Sequence, residues 1–261
     1  SKDVSIHIAE DPDGSYRAIS VITQKGTPPV LPGQIDILTD TGYASADVTW
    51  EAIDPESYAK AGEFTVRGDI EGTESDAVIR VFVVSKEAVN LALNATPSAI
   101  INTPSDLGGV TTMNDGYDPA SSSDTSHGVW HNWHGNQGGP AWVMYTWDVP
   151  VLAYAMDVYV FRDGNGNFQP KDMVLTLRDE NGNWYTPRAL SGLGNALNRY
   201  NRTTFEPAYI TGMRIDMLPV TLGCGIIEWK VYGYTDAVDR AELLRLNNYA
   251  TSLDPSRFVG G

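Results

Sequence analysis

The stretch AWVMYTWDVP, residues 141–150, alternates large apolar side chains at period two. That places Val143, Tyr145 and Trp147 on one face of a strand and Trp142, Met144 and Thr146 on the other. The same kind of run recurs downstream, in AMDVYVF (155–161), DMVLTLRDENGNWYTP (172–187), YITGMRIDML (209–218) and GIIEWKVYG (225–233). Within the second of these, DENGNW carries an Asn-Gly pair between two alternating runs, the sequence of a tight hairpin. Strand upon strand with no helix-period segment between predicts an antiparallel β-sandwich over about 90–234.

Upstream lies a second set of short strands: AISVIT (18–23), GQIDIL (33–38), DVTWEA (47–52), GEFTVRG (62–68) and DAVIRVFVV (76–84). KGTPPVLPG, TDTGYAS and DIEGTES separate them with turn residues, so a small β-sandwich is predicted there. Trp50 shares a strand face with Val48 and is expected to fill that core. Past Tyr234 the pattern changes. DAVDRAELLRLNNYATSLDPSRF groups leucines between charges behind Asp236 or Asp239 as a helix cap, the expected start of another module. The predicted organisation is an extension (1–17), a first domain (18–86), a second domain (87–234) and a helical tail (235–261).

Composition narrows the partners. The 261 residues hold 33 acidic and 18 basic side chains, a net charge of −15. Binding to phosphate backbones needs clustered Lys and Arg, so nucleic acid is excluded, and so is an anionic membrane surface. Neutral ligands and bound cations fit such a chain. The single cysteine, Cys224, excludes an intrachain disulfide and reads as a small buried residue. No apolar run approaches the ~20 residues of a membrane-spanning helix.

Two resemblances refine this reading. GTPPVLPGQIDI, VTWEAIDPESYAKAGEFTVRGDIEGT and AVIRVFVV resemble the bacterial immunoglobulin-like domain of the group-four type over about 18–85. That resemblance implies a spacer module of secreted, multidomain bacterial enzymes. LALNATPSA, NDG, AWVMYTWDVPVLAYAMDVYVF, VLTLRDENGNWYTP, ITGMRIDML and GIIEWKVYG resemble the discoidin, or coagulation-factor C-terminal, type of jelly-roll sandwich. Family-32 carbohydrate-binding modules are a branch of that group. The likeness is to versions found beside catalytic domains of large bacterial glycoside hydrolases. The fold expected is therefore all-β: an Ig-like sandwich, a discoidin-like sandwich and a short helical tail.

Calcium is the cofactor expected. MNDGYDPASSSD (113–124) crowds carboxylates, hydroxyls and turn residues into one loop, and calcium takes six to eight oxygens from such loops. The discoidin resemblance implies that Asp115 supplies a side-chain ligand, Asp118 and Ser123 loop oxygens, and Glu228 closes the site from the last strand. The serine-rich ASSSDTS extension departs from the usual short spacing and leaves the choice among Ser121, Ser122, Ser123 and Asp124 open. RDGNGNF (162–168) looks like the start of an EF-hand but lacks its glycine and its closing glutamate, with Phe168 and Val174 there instead.

HGVWHNWHGNQGGPAW (127–142) is the segment richest in recognition chemistry. His127, His131 and His134 lack a nearby carboxylate or cysteine and form no zinc motif; Ser126 beside His127 has no nucleophile-elbow turn. Trp130 is expected in the core. Sugar-binding modules of the resembled group hold a ring, a histidine, an arginine and an amide in loops at one end of the sandwich. The residues available here are His131, Trp133, His134, Asn136, Arg162, Asp163 and Asn167. Asp172, Asp179 and Glu180 read as solvated charges, and nothing singles out a hydrolytic acid–base pair. The expectation is a non-catalytic, extracellular accessory fragment of a secreted bacterial glycoside hydrolase. It would bind an arabinose- or galactose-containing glycan and work beside the catalytic domain of its parent chain. The alternative is a purely structural spacer that binds no sugar.

Overall fold

The computed structural model of the chain describes residues 19–39, 42–73, 76–102, 105, 107–133, 135–188 and 190–235. The expected extension at 1–17 and nearly all of the expected helical tail lie outside these residues, as does His134. Up to Tyr234 the described residues fall into two units, 19–87 and Ala88–Tyr234.

The first unit holds β1 (Ile19–Gln24), β2 (Gln34–Thr39), β3 (Gly42–Trp50), β4 (Gly62–Ile70) and β5 (Asp76–Val84), hydrogen-bonded in the order β1-β5-β4-β3-β2. β1 runs parallel to β5 and the other pairs are antiparallel. β3 pairs with β2 along its first half and with β4 only over Val48–Trp50, so one strand serves two pairings. The TDTGYAS turn read from the sequence is shorter than predicted, because Gly42 already begins β3. Ile79, Val81 and Val83 of β5 alternate inward against Val66 of β4, as period-two burial requires. Trp50 packs against these residues, and its Nε1 donates to the Pro32 carbonyl at 2.6 Å.

The second unit contains β6 (Val89–Asn90), β7 (Thr96–Ala99), β8 (Trp130–His131), β9 (Ala141–Phe161), β10 (Asp172–Arg178), β11 (Trp184–Tyr185), β12 (Asn201–Leu218) and β13 (Gly225–Tyr234). Their order is β11-β10-β12-β9-β13-β6, with β7 on β9 and β8 on β13. The two runs predicted at 141–150 and 155–161 are one strand of 21 residues. It is interrupted rather than ended. The β9–β12 register shifts between Ile210 and Gly212, opposite Trp147–Pro150, and again between Thr204 and Ala208. Pro150 and Pro207 sit in these breaks, where a residue without an N–H leaves the ladder at least cost.

Each long strand thus turns a corner and contributes to two layers. The first layer is β7, the start of β9, the end of β12, β10 and β11; the second is the rest of β9 and β12 with β13, β6 and β8. Val143, Tyr145, Leu175 and Ile215 from the first layer meet Met156, Val158, Ile226 and Trp229 from the second in one core. Val143, Tyr145 and Trp147 are the inward set, as the alternation predicts. The outer face of the second layer is covered as well: Tyr159, Phe161 and Ile227 pack under Val129, Leu107 and Tyr200. That covering explains why β9 is buried on both faces beyond Val151, where simple alternation would leave one side wet.

Candidate functional site

Three loops meet at one end of the second unit, and backbone hydrogen bonds knit them together. Gly138 N–H donates to Leu222, Phe168 N–H to Gly223 and Gly223 N–H to Gly166. The post at the centre is Asn132, which is fully buried. Its Oδ1 accepts from the Cys224 N–H at 2.8 Å, and its Nδ2 donates to the Asn136 carbonyl at 3.1 Å. Nothing in the sequence distinguishes Asn132 from Asn136, since its partner lies 92 residues away. Cys224 is fully buried, and burial pushes its thiol up to about 12, so it is inert.

Trp133 is half-buried and its six-membered ring lies across Gly166. A Cβ at position 166 would fall 1.4 Å from the ring's Cζ3, so only glycine admits this stacking. The carboxylate of Asp163 shapes the loop that presents Gly166. Its Oδ1 accepts from the N–H groups of Asn165, Gly166 and Asn167 at 2.8–3.0 Å, and its Oδ2 from Asn167 Nδ2 at 2.8 Å. Partial burial pushes the Asp163 carboxyl up, but these bonds outweigh it and hold its pKa at about 2. The EF-hand-like spelling is therefore a self-satisfied turn.

The sugar candidates divide accordingly. His131 is buried on β8, its Nε2 3.0 Å from the Ser105 hydroxyl, and Asn167 is buried beneath Gly223. The Asn136 amide donates to the Pro140 carbonyl at 2.7 Å. Asp163 is spent on its own loop. Arg162 is exposed; its guanidinium lies 5.5 Å from the Phe168 ring centre and makes no hydrogen bond or ion pair among the described residues. Of these side chains, Arg162 is exposed and Trp133 half-buried, and neither makes a side-chain hydrogen bond among the described residues. Trp130 is core, its Nε1 donating to the Ile101 carbonyl at 2.9 Å.

The acidic loop lies over the outer face of the second layer. Glu228 of β13 is wholly buried there, and neither carboxylate oxygen has a hydrogen-bond partner among the described residues. Burial, then the nearby Asp115 carboxylate, push its pKa up to about 8; Lys230 and the Gly116 N–H directed at the carboxylate pull it down by less. Asp115 caps the Tyr117 N–H at 2.8 Å and lies 3.8 Å from His127, whose ring stacks on Tyr117 at 3.9 Å. Asp118 is engaged otherwise: Lys230, then Tyr200, donate to its Oδ1 and lower its pKa. The Ser123 hydroxyl is exposed and meets Ser121 at 3.2 Å. Asp124 organises the extension, accepting from Ser126, Ala120 and Tyr117. Asp115 and, less strongly, Asp118 lie near enough to Glu228 to raise its pKa, while Asp118 and Ser123 also have the partners just named. Among the described residues no three His, Cys, Asp or Glu side chains form a metal-holding group. A cation here would take two carboxylates and complete its shell with loop carbonyls, a donor set that suits calcium.

Residues 17–73 match the bacterial Ig-like domain (group 4). No curated protein matches the chain. Solved structures similar to it include one from Streptococcus pneumoniae beta-galactosidase, at 17% identity over 54% of this chain and 92% of that one, with a TM-score of 0.45. Chitosan-binding module 1 from a Paenibacillus sp. IK-5 chitosanase/glucanase matches at 19% identity over 55% and 98%, TM-score 0.42. The family 32 CBM of C. perfringens NanJ, solved with galactose, matches at 17% over 56% and 98%, TM-score 0.42. Among the described residues no helix is long and apolar enough to cross a membrane.

Proposed function

We propose that the second unit is a carbohydrate-binding module and the first its Ig-like spacer, together an accessory fragment of a secreted bacterial glycoside hydrolase. The observation that carries the reading is the half-buried Trp133 ring, seated on Gly166 where three loops are knit together, with the exposed Arg162 on the same Gly166 loop and without a hydrogen bond or ion pair of its guanidinium among the described residues. An indole face stacks on the C–H face of a sugar, and a guanidinium edge donates two hydrogen bonds to adjacent hydroxyls. The Asp163 carboxylate and the amide donors of Asn132, Asn136 and Asn167 hold the surrounding loops in place, which lowers the entropy cost of binding. The ligand would be a neutral arabinose- or galactose-containing glycan, since the chain's −15 charge disfavours acidic ones. Its benefit to the parent chain's catalytic domain would be effective concentration at a polymer surface outside the cell.

Glu228 supports a bound calcium in the same unit. A buried carboxylate with both oxygens unpartnered is costly unless protonated or metal-bound. Glu228 and Asp115 would hold the ion, which would pin the 113–124 loop to β13 and take no part in any reaction. A glycan-array screen in calcium, with Trp133→Ala and Arg162→Ala alongside, tests the sugar reading. Binding lost in both variants supports it. Binding to no glycan leaves the spacer reading, which the Gly166–Trp133 packing favours on its own, with Trp133 as loop support.

A further inference from the structure

The outer face of the first layer carries a second aromatic surface, remote in sequence pairing from the three-loop end. Met213, Ile215 and Met217 of β12, Leu175 and Leu177 of β10, and Val143 and Tyr145 of β9 all point into the core. Their alternate neighbours therefore point outward. The register sets these in rows: Trp142 beside Asp216 and Val174; Met144 beside Arg214 and Thr176; Thr146 beside Gly212, Arg178 and then Trp184.

Trp184, which is 39% exposed, reaches back across β10 so that its Cη2 lies 3.2 Å from where a Cβ at Gly212 would stand. The glycine makes a floor for the indole. Arg178 lies over the ring, its guanidinium carbon 5.8 Å from the ring centre, fixed by two bonds of 3.0 Å to the Thr211 hydroxyl and carbonyl. Three of its five N–H donors remain, and it has no carboxylate partner among the described residues. At the opposite corner Arg214 covers Trp142 at 4.8 Å and forks onto Asp216 at 2.9 and 2.5 Å. Trp184 on β11 and Trp142 on β9 stand three strands across and four residues along from one another, about 20 Å between their backbones.

We propose that this sheet face is a second carbohydrate-binding surface that takes a neutral oligosaccharide laid over β12 between Trp184 and Trp142. The Trp184 ring offers an apolar plate, and the pinned Arg178 offers a fork for adjacent hydroxyls. Thr146, Thr176 and Thr96 of the neighbouring β7 line the path with small hydroxyls. Charge decides the ligand class. Arg214 and Asp216 cancel one another, leaving Arg178 as the one uncompensated charge in these rows, within a chain whose overall field repels acidic polymers. The inference does not rest on the loop site.

The test is a titration of the whole chain, by calorimetry, with cello-, xylo-, arabino- and galacto-oligosaccharides and hexagalacturonate, repeated on Trp184→Ala, Trp184→Phe, Arg178→Ala and Trp133→Ala. Binding of a neutral oligosaccharide should weaken by about tenfold or more in Trp184→Ala and Arg178→Ala, about 1.4 kcal/mol. It should be largely kept in Trp184→Phe and unchanged in Trp133→Ala; unaltered melting confirms that each variant is folded. Neutral binding insensitive to Trp184 and Arg178, a preference for hexagalacturonate, or self-association abolished by Trp184→Ala would each overturn it. Sensitivity to Trp133 alone would support the loop site and sink this one.

Discussion

Two loops of the second unit use similar polar vocabulary and end in opposite electrostatic states. In 162–168 one carboxylate, Asp163, collects four hydrogen bonds from its own turn, and its pKa is held at about 2. In 113–124 the visible aspartates are similarly occupied, by Tyr117, Lys230, Tyr200 and Ser126, yet the loop covers Glu228, whose oxygens have no partner. The lesson is that acidic loop composition does not mark a cation site. What sets Glu228 apart, against the single amide oxygen of Asn167 left over in the other loop, is a buried carboxylate with no hydrogen-bond partner for either oxygen among the described residues.

The largest expected effect tests that contrast directly. Chelating divalent cations at pH 8 should lower the melting temperature of the second unit by on the order of 10 °C, several kcal/mol at about 2–4 °C each. In chelator, stability should fall as pH rises from about 4.5 to about 8, because the folded state keeps a proton on Glu228 that the unfolded chain releases. Calcium should flatten that slope. Melting indifferent to calcium, with the slope intact, would leave Glu228 as a neutral buried acid.

The other loop should answer differently. Trp133→Ala should weaken glycan binding by about tenfold or more without changing the response to calcium, read by calorimetry on the ligand found in the array. Asp163→Ala removes the nucleus of the Gly166 turn and should cost about 2 kcal/mol, with loss of sugar binding but an unchanged calcium midpoint. A shift in that midpoint would join the two loops into one site. The smallest effect is Asp118→Ala: its exposed pair with Lys230 should be worth less than about 1 kcal/mol in thermal melts. If calcium affinity also drops, Asp118 is a ligand through its second oxygen.

Some of this was legible in advance because it is local. The inward set Val143, Tyr145 and Trp147 follows from period two, the Ile79–Val83 alternation likewise, and the Asn181–Gly182 turn from residue chemistry. Trp130 in the core and a buried Cys224 follow from size and polarity. What was misread depends on distant partners. The strands at 141–150 and 155–161 looked separate because Pro150 interrupts them, whereas the register with β12 carries the chain through a bulge. Asp163, Asn167 and His131 looked like ligand groups because their residue types are right. Asp163 and His131 spend theirs on Asn165, Gly166 and Ser105, and the buried Asn167 donates to Asp163 while its Oδ1 has no partner among the described residues. Glycine spacing gave no warning that Gly166 would seat Trp133 or that Gly212 would floor Trp184.

By itself, then, the sequence determined that the described residues are built of β-strands in two stretches, and that the chain is acidic and rich in aromatic side chains. Those properties depend on periodicity and composition, which are summed over neighbours in the chain. Only the tertiary structure decided which of many equivalent asparagines, aspartates and tryptophans are satisfied and which are left over. A hydrogen bond such as Asn132 to Cys224, or a ring laid on a glycine, joins residues whose proximity the fold alone creates.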